Sequence, residues 1–231
     1  MFKRIDKAEA TASKEFSPNE QETDWIVFTL DGRPVQAPRN ETIWQAARRH
    51  DVSIPHGCLS SAPDFRPDGN CRLCVVEVEG YRTLQPSCLM KVSEGLVIRT
   101  DSERAVQVRR TIIELLLADA AIEPLSECGR VASAMGVMGS RFPSSDARPP
   151  RDESHLGIDV DLSKCIHCMR CVQACREIEV NNVIGMAGRG RTMHVAFDFD
   201  DPMGQSTCVS CGSCAQTCPT GAIAFKVPPD D

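Results

Sequence analysis

Cys165-Ile166-His167-Cys168-Met169-Arg170-Cys171-Val172-Gln173-Ala174-Cys175 and Cys208-Val209-Ser210-Cys211-Gly212-Ser213-Cys214-Ala215-Gln216-Thr217-Cys218-Pro219 share one cysteine spacing, C-x2-C-x2-C-x3-C, and little else. Three thiolates in a tight loop can cap three corners of an iron–sulfur cube, with the fourth supplied by the other run, so the two halves complete each other's sites. The spacing predicts one [4Fe–4S] cluster on Cys165, Cys168, Cys171 and Cys218, and a second on Cys208, Cys211, Cys214 and Cys175. Zinc is the competing reading, because paired C-x2-C units also bind Zn²⁺. Zinc needs only four ligands per site and gives no reason for the third and fourth thiols of each run.

The chain has 231 residues, thirteen cysteines and a formal net charge of −6. That length suits two or three small domains. The N-terminus, Met1 to Asp6, has no apolar stretch of the kind that directs export. No apolar run reaches a membrane span; the longest, Ile112 to Ile122, contains Glu114 and Asp119. The expected compartment is the reducing cytoplasm, where clustered thiols are metal ligands rather than disulfides. Negative charge, one Tyr and two Trp argue against nucleic acid as a partner. Gly185-x2-Gly188-x-Gly190 lacks the order of a dinucleotide loop. No phosphate loop, flavin motif or Ser/His/Asp set is present either, so the isolated chain has no catalytic residues to name.

Residues 1–23 are charged and aperiodic and are expected to form a flexible arm. From Trp25 the pattern changes. Ile26, Phe28 and Leu30 alternate, Asp31-Gly32 marks a turn, and Pro34 to Ala37 returns, which predicts a hairpin. Asn40 or Thr42 caps a short helix with Ile43, Ala46 and Ala47 on one face. Leu73 to Val78 and Leu96 to Thr100 read as strands. Two hairpins around one helix give the expected fold class: α+β, with a β-grasp ferredoxin domain at 24–100. A helical connector follows at 101–140. Ser102 starts its first helix, with Val108, Ile112, Leu115 and Leu116 on one face and an end near Asp119; a second piece covers Glu127 to Met138. A Pro/Ser/Arg-rich linker occupies 141–154, and a bacterial-type double [4Fe–4S] ferredoxin domain occupies 155–227. Between its cysteine runs, Asn182 to Ile184 and His194 to Phe197 predict an inserted hairpin. The basic pairs Arg48-Arg49 and Arg109-Arg110 read as solvated helix faces.

Cys58, Cys71, Cys74 and Cys88 remain in the first domain, spaced C-x12-C-x2-C-x13-C. A [2Fe–2S] rhomb takes four thiolates, two per iron, and the nearest ferredoxin pattern has a shorter first gap, C-x4-C-x2-C. Gly57 and Gly69 would let backbone N–H groups approach the inorganic sulfides. A four-thiolate zinc site is the alternative. A Rieske-type role for His56 would need a second paired His, so a loop hydrogen bond is the expected role. His167 is expected beside a sulfur or in solvent.

Pro55-His56-Gly57-Cys58, Gly69-Asn70-Cys71-Arg72-Leu73-Cys74-Val75-Val76-Glu77-Val78 and Pro86-Ser87-Cys88 resemble the [2Fe–2S] domain of a particular family. Its members are the large electron-input subunit of respiratory complex I, the small diaphorase subunit of NAD-reducing hydrogenases and the N-terminal region of NAD-dependent molybdenum formate dehydrogenases. The order of parts agrees over residues 25–227, including the helix containing Ile113-Glu114-Leu115-Leu116-Leu117. Asp161 to Cys168, Gly188-Arg189-Gly190 and Cys208 to Cys214 resemble the formate dehydrogenase branch; Met138 to Pro143 resembles the hydrogenase diaphorase. The resemblance implies an iron–sulfur electron-transfer subunit in a hetro-oligomer, between a molybdenum or tungsten pterin formate dehydrogenase subunit and an NAD-linked flavoprotein. The small diaphorase subunit of an NAD-reducing [NiFe] hydrogenase is the alternative within the class; a free ferredoxin-like carrier and a zinc-stabilised interaction protein lie outside it. Family members hold a further [4Fe–4S] cluster, with one His and three Cys ligands, after the Leu-rich helix. Here Ala120 stands in place of the His and Pro124 in place of the first Cys, leaving Cys128 as an expected free thiol. The expected complement is one [2Fe–2S] and two [4Fe–4S] clusters.

Overall fold

Strand β1 (Trp25–Leu30) buries Ile26, Phe28 and Leu30 and turns its other residues outward, as the alternation requires. Asp31 and Gly32 both take positive φ (48° and 78°), the geometry of a two-residue hairpin turn whose twist matches the strands. The chain returns antiparallel as β2 (Arg33–Pro38), with Leu30 opposite Arg33 and Ile26 opposite Ala37. This computed structural model describes residues 24–62, 64–144 and 151–226. The arm expected at 1–23 and residues 145–150 of the expected linker lie outside them.

Thr42 is the N-cap of α1 (Ile43–Arg49), in a capping box with Gln45; removing such a cap costs about 1 kcal/mol. Ile43, Trp44, Ala46 and Ala47 face the sheet. β3 (Val75–Val78), β4 (Gln85–Pro86) and β5 (Val97–Arg99) complete five strands in the order β2-β1-β5-β3-β4. Periodicity did not show that β5 lies parallel to β1, with Leu30 opposite Ile98. This crossover closes the core of Ile26, Phe28, Leu30, Ile43, Val76 and Ile98. Asp31 secures it: its carboxylate accepts from the Thr100 N–H and hydroxyl, both at 2.6 Å. The fold is the β-grasp arrangement expected.

Helix α2 (Glu103–Asp119) starts at Ser102 as expected, but its buried face is different. Val108 and Leu115 are exposed, whereas Ala105, Arg109 and Ile113 are buried. The solvated reading of Arg109 is likewise corrected. Its guanidinium donates from Nε (2.9 Å) and Nη2 (2.6 Å) to the Val75 carbonyl, and so reaches the backbone beside Cys74. A polar residue on the buried stripe shifted the apparent apolar period. Arg49 is engaged too, paired with Glu41 and stacked over Trp25. Helix α3 (Glu127–Ala134) ends four residues before the expected Met138.

The last module pairs β6 (Ile158–Val160) antiparallel with β9 (Ile223–Phe225). Between them, α4 (Arg170–Gln173) continues into a π-helical turn at Ala174–Ile178. The inserted hairpin is present as β7 (Ile184–Ala187) and β8 (His194–Phe197), and α5 (Ser213–Thr217) follows. Among the described residues, no helix is long and apolar enough to cross a membrane.

Candidate metal centres

The two C-x2-C-x2-C loops fold alike, although only their cysteines agree. His167 and Ser210, at equivalent positions, have φ of 53° and 61°; Met169 and Gly212, also equivalent, have 69° and 80°. A left-handed non-glycine residue costs about 1 kcal/mol or more, and such strain persists where the surroundings over-determine it. The repeated kink turns backbone amides inward. The His167 N–H donates to Cys165 Sγ and the Ser210 N–H to Cys208 Sγ, both at 3.4 Å. A concave row of N–H groups of this kind favours an anion.

The thiols gather in two cavities, each drawing on both runs. Cys165, Cys168, Cys171 and Cys218 line one, with Leu162, Met169 and Ile223 as apolar walls. Cys175, Cys208, Cys211 and Cys214 line the other, with Val183 and Ile184. Each cavity contains the four thiols that the interleaved spacing assigns to one site. Burial and the neighbouring thiols push Cys165 up to about 11 and Cys168 to about 12; Cys214 is likewise raised to about 12. These groups hold their protons until a cation displaces them, so metal loading releases protons and weakens as pH falls.

In the first domain all four cysteines are buried. They stand as two pairs, Cys58 beside Cys71 and Cys74 beside Cys88. The interaction of the two sulfurs in each pair lowers Cys58 and Cys74 and raises Cys71 and Cys88. Two pairs are what a two-iron rhomb asks for. The N–H groups of Cys58 (3.3 Å) and Leu73 (3.4 Å) donate to Cys71 Sγ. Ser87 Oγ is fully buried and meets no hydrogen-bond partner in good geometry; the Cys74 sulfur beside it is what its hydroxyl can serve. A Cβ at Gly57 would lie 3.5 Å from Cys71 Sγ, so larger side chains would crowd that thiol. His56 takes the expected loop role: Nδ1–H donates to the Ile54 carbonyl (3.1 Å), and the ring meets Trp44 edge-on.

Among the described residues, no three Cys, His, Asp or Glu side chains close on one ion-sized point. The thiols border spaces instead. An all-sulfur donor set, surrounding amides and apolar walls around a space larger than one ion fit iron–sulfur clusters.

Comparison with known proteins agrees. The family described as 2Fe-2S iron-sulfur cluster binding domain matches residues 23–103, and the 4Fe-4S dicluster domain matches residues 164–222. A chain in the crystal structure of an NAD⁺-reducing [NiFe]-hydrogenase in the H2-reduced state superposes with a TM-score of 0.78 at 31% identity, covering 87% of each chain. The chain belongs to the iron–sulfur subunit family of NAD-reducing hydrogenases and complex I. The NADP-reducing hydrogenase subunit HndD of Solidesulfovibrio fructosivorans is 35% identical over 86% of this chain and 36% of its own length. The mitochondrial NADH-ubiquinone oxidoreductase 78 kDa subunit of Candida albicans is 30% identical over 87% of this chain and 28% of its own. The chain thus spans between about a fifth and about a third of the length of the curated relatives it matches.

At residues 120–129, where the resemblance would put a His/Cys cluster, the chain folds closely on itself. Ala120 is buried, and a Cβ on Gly129 would fall 2.0 Å from the Glu123 carbonyl oxygen. Cys128 is buried, its thiol raised to about 11 by desolvation, and its N–H donates to the Pro219 carbonyl at 2.9 Å. Cys128→Ala should therefore leave every cluster signal intact by electron paramagnetic resonance; loss of a signal would make Cys128 a ligand. Sequence reasoning missed two buried polar groups here. His155 accepts from the Ile158 N–H at Nδ1 and donates from Nε2 to Ser210 Oγ (3.0 Å), steadying the second loop. Arg170 is the other; an Arg directly before Cys171, with no acid near it in sequence, was its only signal.

Proposed function

We propose that this chain is a fixed electron relay in an NAD-linked oxidoreductase complex, and that it holds one [2Fe–2S] and two [4Fe–4S] clusters. Cys58, Cys71, Cys74 and Cys88 would hold the first, Cys165, Cys168, Cys171 and Cys218 the second, and Cys175, Cys208, Cys211 and Cys214 the third. The observation that carries this reading is the sorting of eight thiols into two four-thiol cavities, each built from both runs. Bound clusters supply one-electron carriage. The chain's own groups hold the thiolates, exclude water with the walls of Val183, Ile184 and Ile223, and place N–H donors on sulfur, which tunes potential. The twelve assigned thiols fit a reducing, cytoplasmic setting.

One neighbour would be an NAD-linked flavoprotein. For the other, two readings have support. The stretches 161–168, 188–190 and 208–214 favour a molybdenum or tungsten pterin subunit acting on formate. The 31% identity over 87% of both chains favours a [NiFe] hydrogenase, with this chain as its small diaphorase subunit. Anaerobic copurification from the native host, followed by metal analysis, separates them: molybdenum or tungsten with a pterin supports formate, and nickel supports hydrogen. A monomer that exchanges freely between enzymes would defeat the fixed-relay proposal.

A further inference from the structure

Two polar side chains of α4, Arg170 and Gln173, are each only 2% exposed, and both reach out of the last module into the loop between Cys58 and Cys71. Arg170 Nε donates to the Cys58 carbonyl (3.3 Å) and Nη2 to the Leu59 carbonyl. Its Nη1 and Nη2 also grip the Glu127 carboxylate at 2.8 and 2.7 Å, and Nη1 reaches the Thr217 carbonyl at 3.4 Å. Gln173 accepts from the Arg66 N–H (3.1 Å) and donates to the Arg66 carbonyl (3.1 Å) and the Asp68 carboxylate. Arg66 returns the contact by pairing with Glu177 at 2.8 Å.

Twelve residues separate Cys58 from Cys71, well beyond the four of a plant-type cluster loop. Closing a rhomb does not need them. The contacts give them a use: Leu59, Arg66 and Asp68 fasten the loop to α4. Arg170 also meets the backbone at Cys58, adjoins Cys171 in sequence, and touches Thr217, which adjoins Cys218. One guanidinium therefore contacts chain segments that build two different candidate sites. A buried cation needs a counter-charge and filled donors; Glu127 supplies the first and four carbonyl or carboxylate partners the second.

We propose that the long Cys58–Cys71 loop is a latch on α4, and that Arg170 is the positioning residue that sets the placement and electrostatics of the [2Fe–2S] site relative to the first [4Fe–4S] site. The inference rests on the cluster assignment above. A positive charge beside a cluster favours its more negative, reduced form and raises its potential; Glu127 cancels part of that field.

The test uses the full, cluster-loaded chain with Arg170→Met, Glu127→Gln, both together, and Arg170→Lys. Potentials come from redox titration followed by electron paramagnetic resonance, and latch opening from amide hydrogen exchange over residues 59–70. Arg170→Met should lower the potentials of both sites and Glu127→Gln should raise them, with the double variant returning close to the parent. General loosening would not produce shifts of opposite sign. Exchange over 59–70 should speed up about tenfold or more in Arg170→Met. Arg170→Lys should keep the potentials and lose the protection, because an ammonium cannot fork across these carbonyls. Shifts of the same sign, no shifts, or unchanged exchange would overturn the proposal. Should Arg170→Met lose its clusters, Glu127→Gln decides the electrostatic part, an upward shift supporting it and none refuting it, and exchange over 59–70 in Arg170→Lys decides the latch. A parent protein without a [2Fe–2S] signal would defeat the cluster assignment instead, and the exchange experiment would still judge the latch.

Discussion

Cys175→Ser should destroy the cluster held by Cys208, Cys211 and Cys214 and spare the one beside it in sequence; Cys218→Ser should do the reverse. The cavities predict this directly, since Cys175 lines the space with the second run and Cys218 the space with the first. Parent protein purified without oxygen should contain about ten irons with matching sulfide, two from the rhomb and four from each cube, and each variant should lose about four. The electron paramagnetic resonance spectrum should lose a different [4Fe–4S] signal in each. If each substitution instead removed the cluster of its own run, the interleaved arrangement would be wrong. Zinc in place of iron and sulfide would end the cluster assignment, and about fourteen irons would mean that the 120–128 region holds a cluster after all. Iron loss should also reach the fold. The core around Val160, Val172, Val183, Ile184 and Ile223 includes Cys171, Cys175 and Cys214, so emptying the cavities leaves four thiols facing one another in each. Such sites are held closed by their metal.

The grouping of the thiols was legible because a cysteine spacing encodes loop geometry directly: a residue count between thiols limits where sulfur can stand. The β1–β2 hairpin and the Thr42 cap were legible for a related reason, being set by contacts within a few residues. Three features were not legible. The parallel pairing of Leu30 with Ile98 joins segments far apart in sequence, and two short apolar runs carry no mark of direction. The buried stripe of α2 runs through Arg109, whose charge conceals that it serves the Val75 carbonyl. The C-x12-C gap looked only like a departure from a shorter pattern, because its meaning lies on α4, more than a hundred residues away. Polar side chains that bond to distant backbone leave no periodicity.

Cys88→Ser should nearly abolish NAD reduction by the assembled complex while formate oxidation with an artificial dye continues at a pterin subunit, or hydrogen oxidation if nickel is the metal found. Cys88 is 1% exposed and pairs with Cys74, so the substitution removes one of the two thiols available to that iron and puts a poorer, harder donor in a dry pocket. Cys88 belongs to the β-grasp core, but serine is close to cysteine in size, so lost packing is a poor explanation for the expected loss. Thermal unfolding and intact [4Fe–4S] signals check that the rest of the chain has survived. The dye assay then separates two routes. If the [2Fe–2S] site lies on the path to the flavoprotein, substrate-to-dye turnover persists and substrate-to-NAD turnover falls to the background of the cluster-free protein. If NAD reduction is unchanged with the [2Fe–2S] signal confirmed lost, that site is off the path, and the four buried thiols of the β-grasp domain serve structure alone.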